Sequence, residues 1–147
     1  EAEERRTGVD DGGDERGQCG GEWAVQYGGR GVTDRSGRDV YKTNKQAAYG
    51  VGDDWQRPPH IHCKGYRRGF EDLTTQLYVA GDPLNAKDGI YNNVPKKDRP
   101  SVTVEFQASA RIGSGLAKSI ADEFGQKNGL EKEAKVGRFD IVINAVA

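Results

Sequence analysis

A chain of 147 residues has room for one domain and little more. Its formal charge of −1 gives no overall attraction to nucleic acid or an anionic membrane, and no apolar run approaches the roughly 20 residues needed to span a bilayer. Twenty-one glycines and few helix-forming runs favour a turn-rich, all-β protein with a modest core.

Residues 1–18 are dense in charge and glycine, with Glu1, Glu3, Glu4, Arg5, Arg6, Asp10, Asp11, Asp14, Glu15 and Arg16. Such a segment buries little surface and reads as a flexible N-terminal arm or a poorly formed first strand, the arm being the preferred reading. Residues 19–147 then form the folded unit. The chain contains no methionine, so it reads as a processed form, and no signal peptide is visible. A soluble protein is expected, with cytoplasmic and secreted locations both open. Cys19 and Cys63 fit either one disulfide or two free thiols.

From Glu22 the pattern changes. Glu22 to Tyr27 reads as a strand, and Thr33-Asp34-Arg35-Ser36-Gly37 as a turn, because Asp and Ser bond locally and Gly accepts positive φ. Asp39 to Thr43 is expected as a second strand and His60 to Tyr66 as a third. Leu73 to Val79 is the clearest strand, rich in β-branched and aromatic residues, and Gly81-Asp82-Pro83 closes it. Ser101 to Phe106 and Phe139 to Ile143 alternate with period two, so each should bury one face. One helix is expected from about Gly115 to Phe124, where Leu116, Ile120 and Phe124 make a single stripe and Ser114 stands ready as a cap. Short strands separated by turn signals suggest a β-sandwich or barrel with one short helix in the C-terminal half and long loops.

Arg57-Pro58-Pro59-His60-Ile61-His62 carries the chemistry. Two histidines one residue apart on a strand point to the same face, so both imidazoles can reach one metal ion. They are the only histidines in the chain. Tyr49 lies eleven residues upstream of His60 in the loop Ala48-Tyr49-Gly50, and a phenolate there would add a hard anionic oxygen suited to Fe(III). Zinc is the second metal compatible with such donors. Cys63 follows His62 directly, so alternation turns its side chain to the opposite face.

These pieces resemble the intradiol ring-cleavage dioxygenases, the family of catechol 1,2-dioxygenase and protocatechuate 3,4-dioxygenase. The matching stretches are Thr33 to Gly37, Tyr41-Lys42-Thr43, Tyr49, Asp54 to His62, Leu73 to Tyr78 with Gly81-Asp82-Pro83, and Arg138 to Val142. The resemblance covers about residues 22–147. It implies a β-sandwich of the intradiol dioxygenase type with one mononuclear, non-haem Fe(III), held by two tyrosines and two histidines. His60 and His62 match the histidines and Tyr49 the second tyrosine. Tyr27 is the one tyrosine upstream of the Thr33–Gly37 turn and so the candidate for the first. By resemblance Tyr49 also serves as a base, Arg57 is the active-site arginine, and Gln76 lines the site. The implied reaction joins a catechol-type diol and O₂ to give a cis,cis-muconate-type diacid. The implied partners are that small molecule and O₂, with no nucleic acid and no membrane, and a homo-oligomer fits the family. For a carboxylated catechol the available cations are Arg30, Lys45, Arg67 and Arg68. Two other readings compete: a non-catalytic, transthyretin-like β-sandwich binding module, and a zinc hydrolase built on His60 and His62.

Overall fold

A computed structural model describes residues 6–10, 29–51 and 55–146, with backbone only for 6–10, 29 and 30. Its central feature is a five-stranded sheet in the order β2-β1-β5-β6-β7. The strands are β1 (Arg6–Asp10), β2 (Gly29–Val32), β5 (His60–Tyr66), β6 (Leu73–Val79) and β7 (Thr103–Val104). All neighbours are antiparallel except β6 and β7, which run parallel. Two smaller pairs complete the strands: β3 (Tyr49–Gly50) with β4 (Gln56–Arg57), and β8 (Gln107–Ala108) with β9 (Lys135–Val136). Helices are short: α1 (Gly89–Asn93), α2 (Arg99–Val102), α3 (Ser114–Glu123), and 3-10 turns at Pro83–Lys87 and Ser109–Arg111.

The alternation of β5 and β6 divides the sheet into two faces. Ile61 and Leu77 oppose each other on one side, and His60 opposes Tyr78 on the other. On the first face Cys63, Leu77 and Val104 form the core, packed by Ile61, Phe106, Phe139 and Ile141. Burying an aliphatic side chain of this size contributes about 1.5–3 kcal/mol. Gly65 lies under the C-terminal segment, where a Cβ would sit 3.1 Å from the Ile141 methyl. Cys63 is a buried free thiol on this face, and burial pushes its pKa up to about 11. Cys19, the other half of the disulfide considered above, lies outside the described residues, as do Tyr27 and the strand expected from Glu22.

Strands β5 and β6 have the bounds read from the sequence. The turn at Thr33–Gly37 also forms: the Asp34 carboxylate accepts from Ser36 N at 2.8 Å and Arg38 N at 3.0 Å, and Gly37 has φ 82. Of the two readings of residues 1–18, the strand is the one that holds at Arg6–Asp10, which pairs with both β2 and β5. Ladder hydrogen bonds are main-chain, so a polar segment can join a sheet without a buried face of its own. Asp39 to Thr43 makes no strand. Only Val40 of that stretch is even partly buried, and Lys42 instead reaches Glu131 at 2.7 Å. Ser101 to Phe106 begins as helix, because Pro100 sets a helical φ in the first turn of α2, and only Thr103–Val104 reaches the sheet. Phe139 to Ile143 has the predicted alternation but no ladder. Phe139, Ile141 and Ile143 turn inward while Val142 is 78% exposed, and the segment is tied at its end by the Phe70–Ala145 bridge.

Helix α3 matches the expected helix within one residue, although Ser114 is its first residue rather than its cap and Leu116 is exposed. Two one-turn helices, α1 and α2, join the one expected. Among the described residues no helix is long and apolar enough to cross a membrane.

Candidate active site

The second face of the sheet gathers the polar residues. In the β3–β4 pair Tyr49 lies directly opposite Arg57, so both side chains leave the same side. Pro58 and Pro59 are buried and rigid, and they deliver the chain into β5. There His60 opposes Tyr78 and His62 opposes Gln76. Four short segments thus aim six side chains at one point.

His60 is 3% exposed. Its Nδ1 lies 2.8 Å from the Pro58 carbonyl, which can only accept, so Nδ1 carries the proton and Nε2 the lone pair. Burial, with the Arg57 charge nearby, lowers its pKa and keeps the ring neutral. Nε2 of His62 stands 3.1 Å from Nε2 of His60, and Tyr49 Oη stands 3.4 Å from the same atom. Gln76 Oε1 accepts from Tyr78 Oη at 2.6 Å and from Arg57 Nη2 at 2.8 Å, which turns its NH₂ toward His62 Nε2 at 3.3 Å. That orientation leaves a lone pair on His62 Nε2 as well.

Two unprotonated ring nitrogens this close repel one another, and a shared cation would convert the repulsion into coordination. The spacing suits one: donors about 2.1 Å from a metal lie about 3.0 Å apart at a right angle and about 3.4 Å apart at the tetrahedral angle. Tyr49, His60 and His62 therefore fit a metal ion. Among the described residues no group of three or more His, Cys, Asp or Glu could hold one, so a third donor to such an ion would have to be the Tyr49 phenol oxygen. A hard oxygen beside two imidazoles fits a ferric ion.

Arg57 is the hub. It is 4% exposed and its guanidinium meets Asp88 Oδ2 (2.8 Å), His60 Nε2 (3.1 Å), Tyr49 Oη (3.3 Å), Gln76 Oε1 (2.8 Å) and Tyr78 Oη (3.2 Å). Burial alone would lower its pKa, but the Asp88 and Tyr49 contacts outweigh that and raise it. Asp88 is fully buried. Its burial raises the carboxyl pKa, yet Arg57 and the N–H groups of Tyr91 and Ile90 together hold it below its ordinary value. Beside His62, Gln76 and Tyr78 opens a pocket of about 270 Å³, whose other wall is Ile90, Val94 and Val102.

Sequence reasoning brought Tyr49, Arg57, His60, His62 and Gln76 to this place. Tyr27 lies outside the described residues. Two residues were missed. Tyr78 is 1% exposed, and burial pushes its phenol up to about 12, so it acts as a donor. Its position opposite His60 was legible once β5 and β6 were paired. Asp88 could have been read as a cap before a short helix, but nothing in the sequence ties it to Arg57. Asp53 and Asp54, the acids nearest Arg57 along the chain, lie outside the described residues. Of the cations considered for a carboxylated substrate, Lys45, Arg67 and Arg68 do not line the pocket, and Arg67 lies over the Phe70 ring at 4.6 Å.

A model of the dioxygenase family matches residues 10–144. The chain belongs to the intradiol dioxygenase family. Among curated relatives, the protocatechuate 3,4-dioxygenase beta chain of Burkholderia cepacia is 39% identical over 82 residues, covering 53% of this chain and 34% of that one. Among solved structures of the family, catechol 1,2-dioxygenase from Acinetobacter sp. ADP1, inhibited by bound mercury, superposes with TM-score 0.68 at 18% identity, covering 99% of this chain and 48% of that one. Hydroxyquinol 1,2-dioxygenase from Pseudomonas putida DLL-E4 gives TM-score 0.69 at 20% identity, covering 99% and 51%. At these identities the structural likenesses speak for the fold alone. The chain spans about a third of the curated relative and about half of the solved ones.

Proposed function

We propose that this chain carries the ferric centre of an intradiol ring-cleaving dioxygenase. Its substrates are a catechol-type diol and O₂, and its product is a cis,cis-muconate-type diacid. The observation that carries the reading is the convergence of Tyr49 Oη, His60 Nε2 and His62 Nε2 beside the buried Arg57 and an open pocket. Family membership and the 39% identity to a protocatechuate 3,4-dioxygenase chain support it. The inward Phe139 to Ile143 segment, laid over the sheet's core face, supports the sandwich architecture.

Tyr49, His60 and His62 would hold the iron, with Tyr27 as the fourth ligand suggested by resemblance. When bound, Fe(III) would draw electron density from a coordinated diol and open its ring to O₂. The remaining work falls to the chain. The Pro58 carbonyl fixes the His60 tautomer and leaves its Nε2 for the metal. Tyr49 Oη takes a hydroxyl proton from the incoming diol. Arg57 Nη1, within 3.3 Å of that oxygen, sets a fixed positive charge against negative charge that develops on the ring. Ile90, Val94 and Val102 give the ring an apolar wall and exclude water. A pocket of about 270 Å³ is small beside the roughly 300–1,000 Å³ typical of larger ligands, which fits a single ring.

A binding module needs neither a buried arginine nor paired imidazoles at metal spacing, and the family match does not favour it. The test is O₂ uptake with a panel of single-ring catechols and identification of the product. Stoichiometric consumption with appearance of a ring-opened diacid is expected. An iron-loaded chain that consumes no O₂ with any of them would overturn the proposal.

A further inference from the structure

Asp88 does two jobs with one carboxylate. Oδ1 accepts from Ile90 N at 2.7 Å and Tyr91 N at 2.9 Å, which caps α1. Oδ2 accepts from Arg57 Nε at 2.8 Å. The side chain is fully buried, so this charge pair is shielded from solvent. A cap alone would require one oxygen, and Asn or Ser could supply it. The second oxygen matters only to Arg57.

We infer that Asp88 is the positioning residue for Arg57: it fixes the guanidinium's aim at Tyr49 and His60 from the same helix that walls the ring pocket. Arginine's donors lie in one plane, so a bond at Nε together with one at Nη2 fixes where Nη1 points. Nη2 is held by Gln76 and Tyr78, and Nη1 then faces His60 Nε2 and Tyr49 Oη. Helix α1 is itself anchored. The Tyr91 ring meets Tyr78 edge-on at 4.8 Å, Tyr91 Oη lies 3.1 Å from Thr103 Oγ1, and Asn92 Nδ2 donates to the Asp88 carbonyl at 2.9 Å. Ile90, two residues past the cap, lines the pocket. The wall that meets the ring and the charge that faces it therefore share one buried carboxylate.

The inference rests on the role given to Arg57 in the proposed function, and the two fail differently. Steady-state kinetics of the iron-loaded full chain would compare wild type, D88N, R57K and the double variant. D88N keeps the cap oxygen and removes the Arg57 acceptor. It should lower kcat about 10- to 100-fold, with KM little changed, as loss of a group that orients a site residue does. In the R57K background, where the planar fork is already gone, the same change should cost far less. Equal losses in both backgrounds would reduce Asp88 to a helix cap and overturn the inference.

A second readout needs no activity. In the full chain without added metal, the ¹⁵N spectrum of Arg57 should show a slowly rotating guanidinium with separate Nη signals. D88S, which retains a capping hydroxyl, should merge them. Free rotation in the wild type would overturn the inference even if neither variant folded. A wild type that cleaves no catechol would sink the proposed function and leave this readout to decide the role of Asp88.

Discussion

Replacing Arg57 by Met removes a buried cation and leaves its shape largely filled. Asp88 then keeps its two backbone donors, from Ile90 and Tyr91, and loses the guanidinium that balances its charge. Gln76 Oε1 and Tyr78 Oη each lose a partner too. Breaking a buried ion pair from one side costs about 3–5 kcal/mol, because the surviving charge stays desolvated. At about 2–4 °C per kcal/mol for a chain of this size, Tm should fall by roughly 6–20 °C. Thermal unfolding of the chain without added metal, followed by circular dichroism, measures it. The sign with pH follows from Asp88. In the wild type its carboxyl pKa is depressed, so its contribution is present above the ordinary value of 3.8 and is lost as pH falls through the folded value. In R57M burial acts on that carboxyl without its cation, the folded pKa moves above the unfolded one, and the penalty shrinks as acid neutralises it. The gap between the two proteins should therefore narrow toward low pH. R57M/D88N should recover part of the loss, since the amide carries no charge and still caps α1. An R57M protein as stable as wild type at pH 7, or a gap that widens in acid, would refute the reasoning.

H62A and Y49F should each weaken iron binding by more than the roughly 10–100-fold typical of losing a ligand's outer hydrogen-bond partner. Metal titration measures this, and full occupancy of both variants would count against the donor set. His60 is held below the ordinary 6.5 by burial, so the chain without metal should be fully stable above that pH and lose stability as pH falls toward the folded value. Denaturant midpoints between pH 8 and 5 check this, and H60Q should flatten the slope. G137A should destabilise the core by about 1–3 kcal/mol, as overpacking does. A Cβ there would lie 2.5 Å from Val104 Cγ1 and 2.9 Å from Phe106 Cδ1, and an unchanged unfolding midpoint would show that the site can open.

The sequence was most legible where local pattern and long-range structure agree. Strands β5 and β6 could be bounded because β-branched and aromatic residues run between turn residues. Their two faces followed from alternation: His60 and His62 go one way, Cys63 and Leu77 the other. Tyr49 and Arg57 could be named by resemblance, and their direct opposition in a two-residue ladder explains how their side chains meet. What stayed hidden depended on pairing partners. Arg6–Asp10 looks like a solvated arm because its backbone partners are far along the chain. Asp39 to Thr43 looks like a strand because propensity says nothing about whether a neighbour is available. Phe139 to Ile143 shows that burial can alternate without a ladder. Asp88 illustrates the deeper difficulty, because its contact with Arg57 spans 31 residues and two elements.

The central claim is that Tyr49, His60 and His62 bind ferric iron, and a visible spectrum with metal analysis of the purified chain tests it most directly. The account predicts about one iron per chain and a burgundy colour from tyrosinate-to-Fe(III) charge transfer, both lost in H60A/H62A. A colourless wild-type protein that takes up zinc and refuses Fe(III) would contradict it.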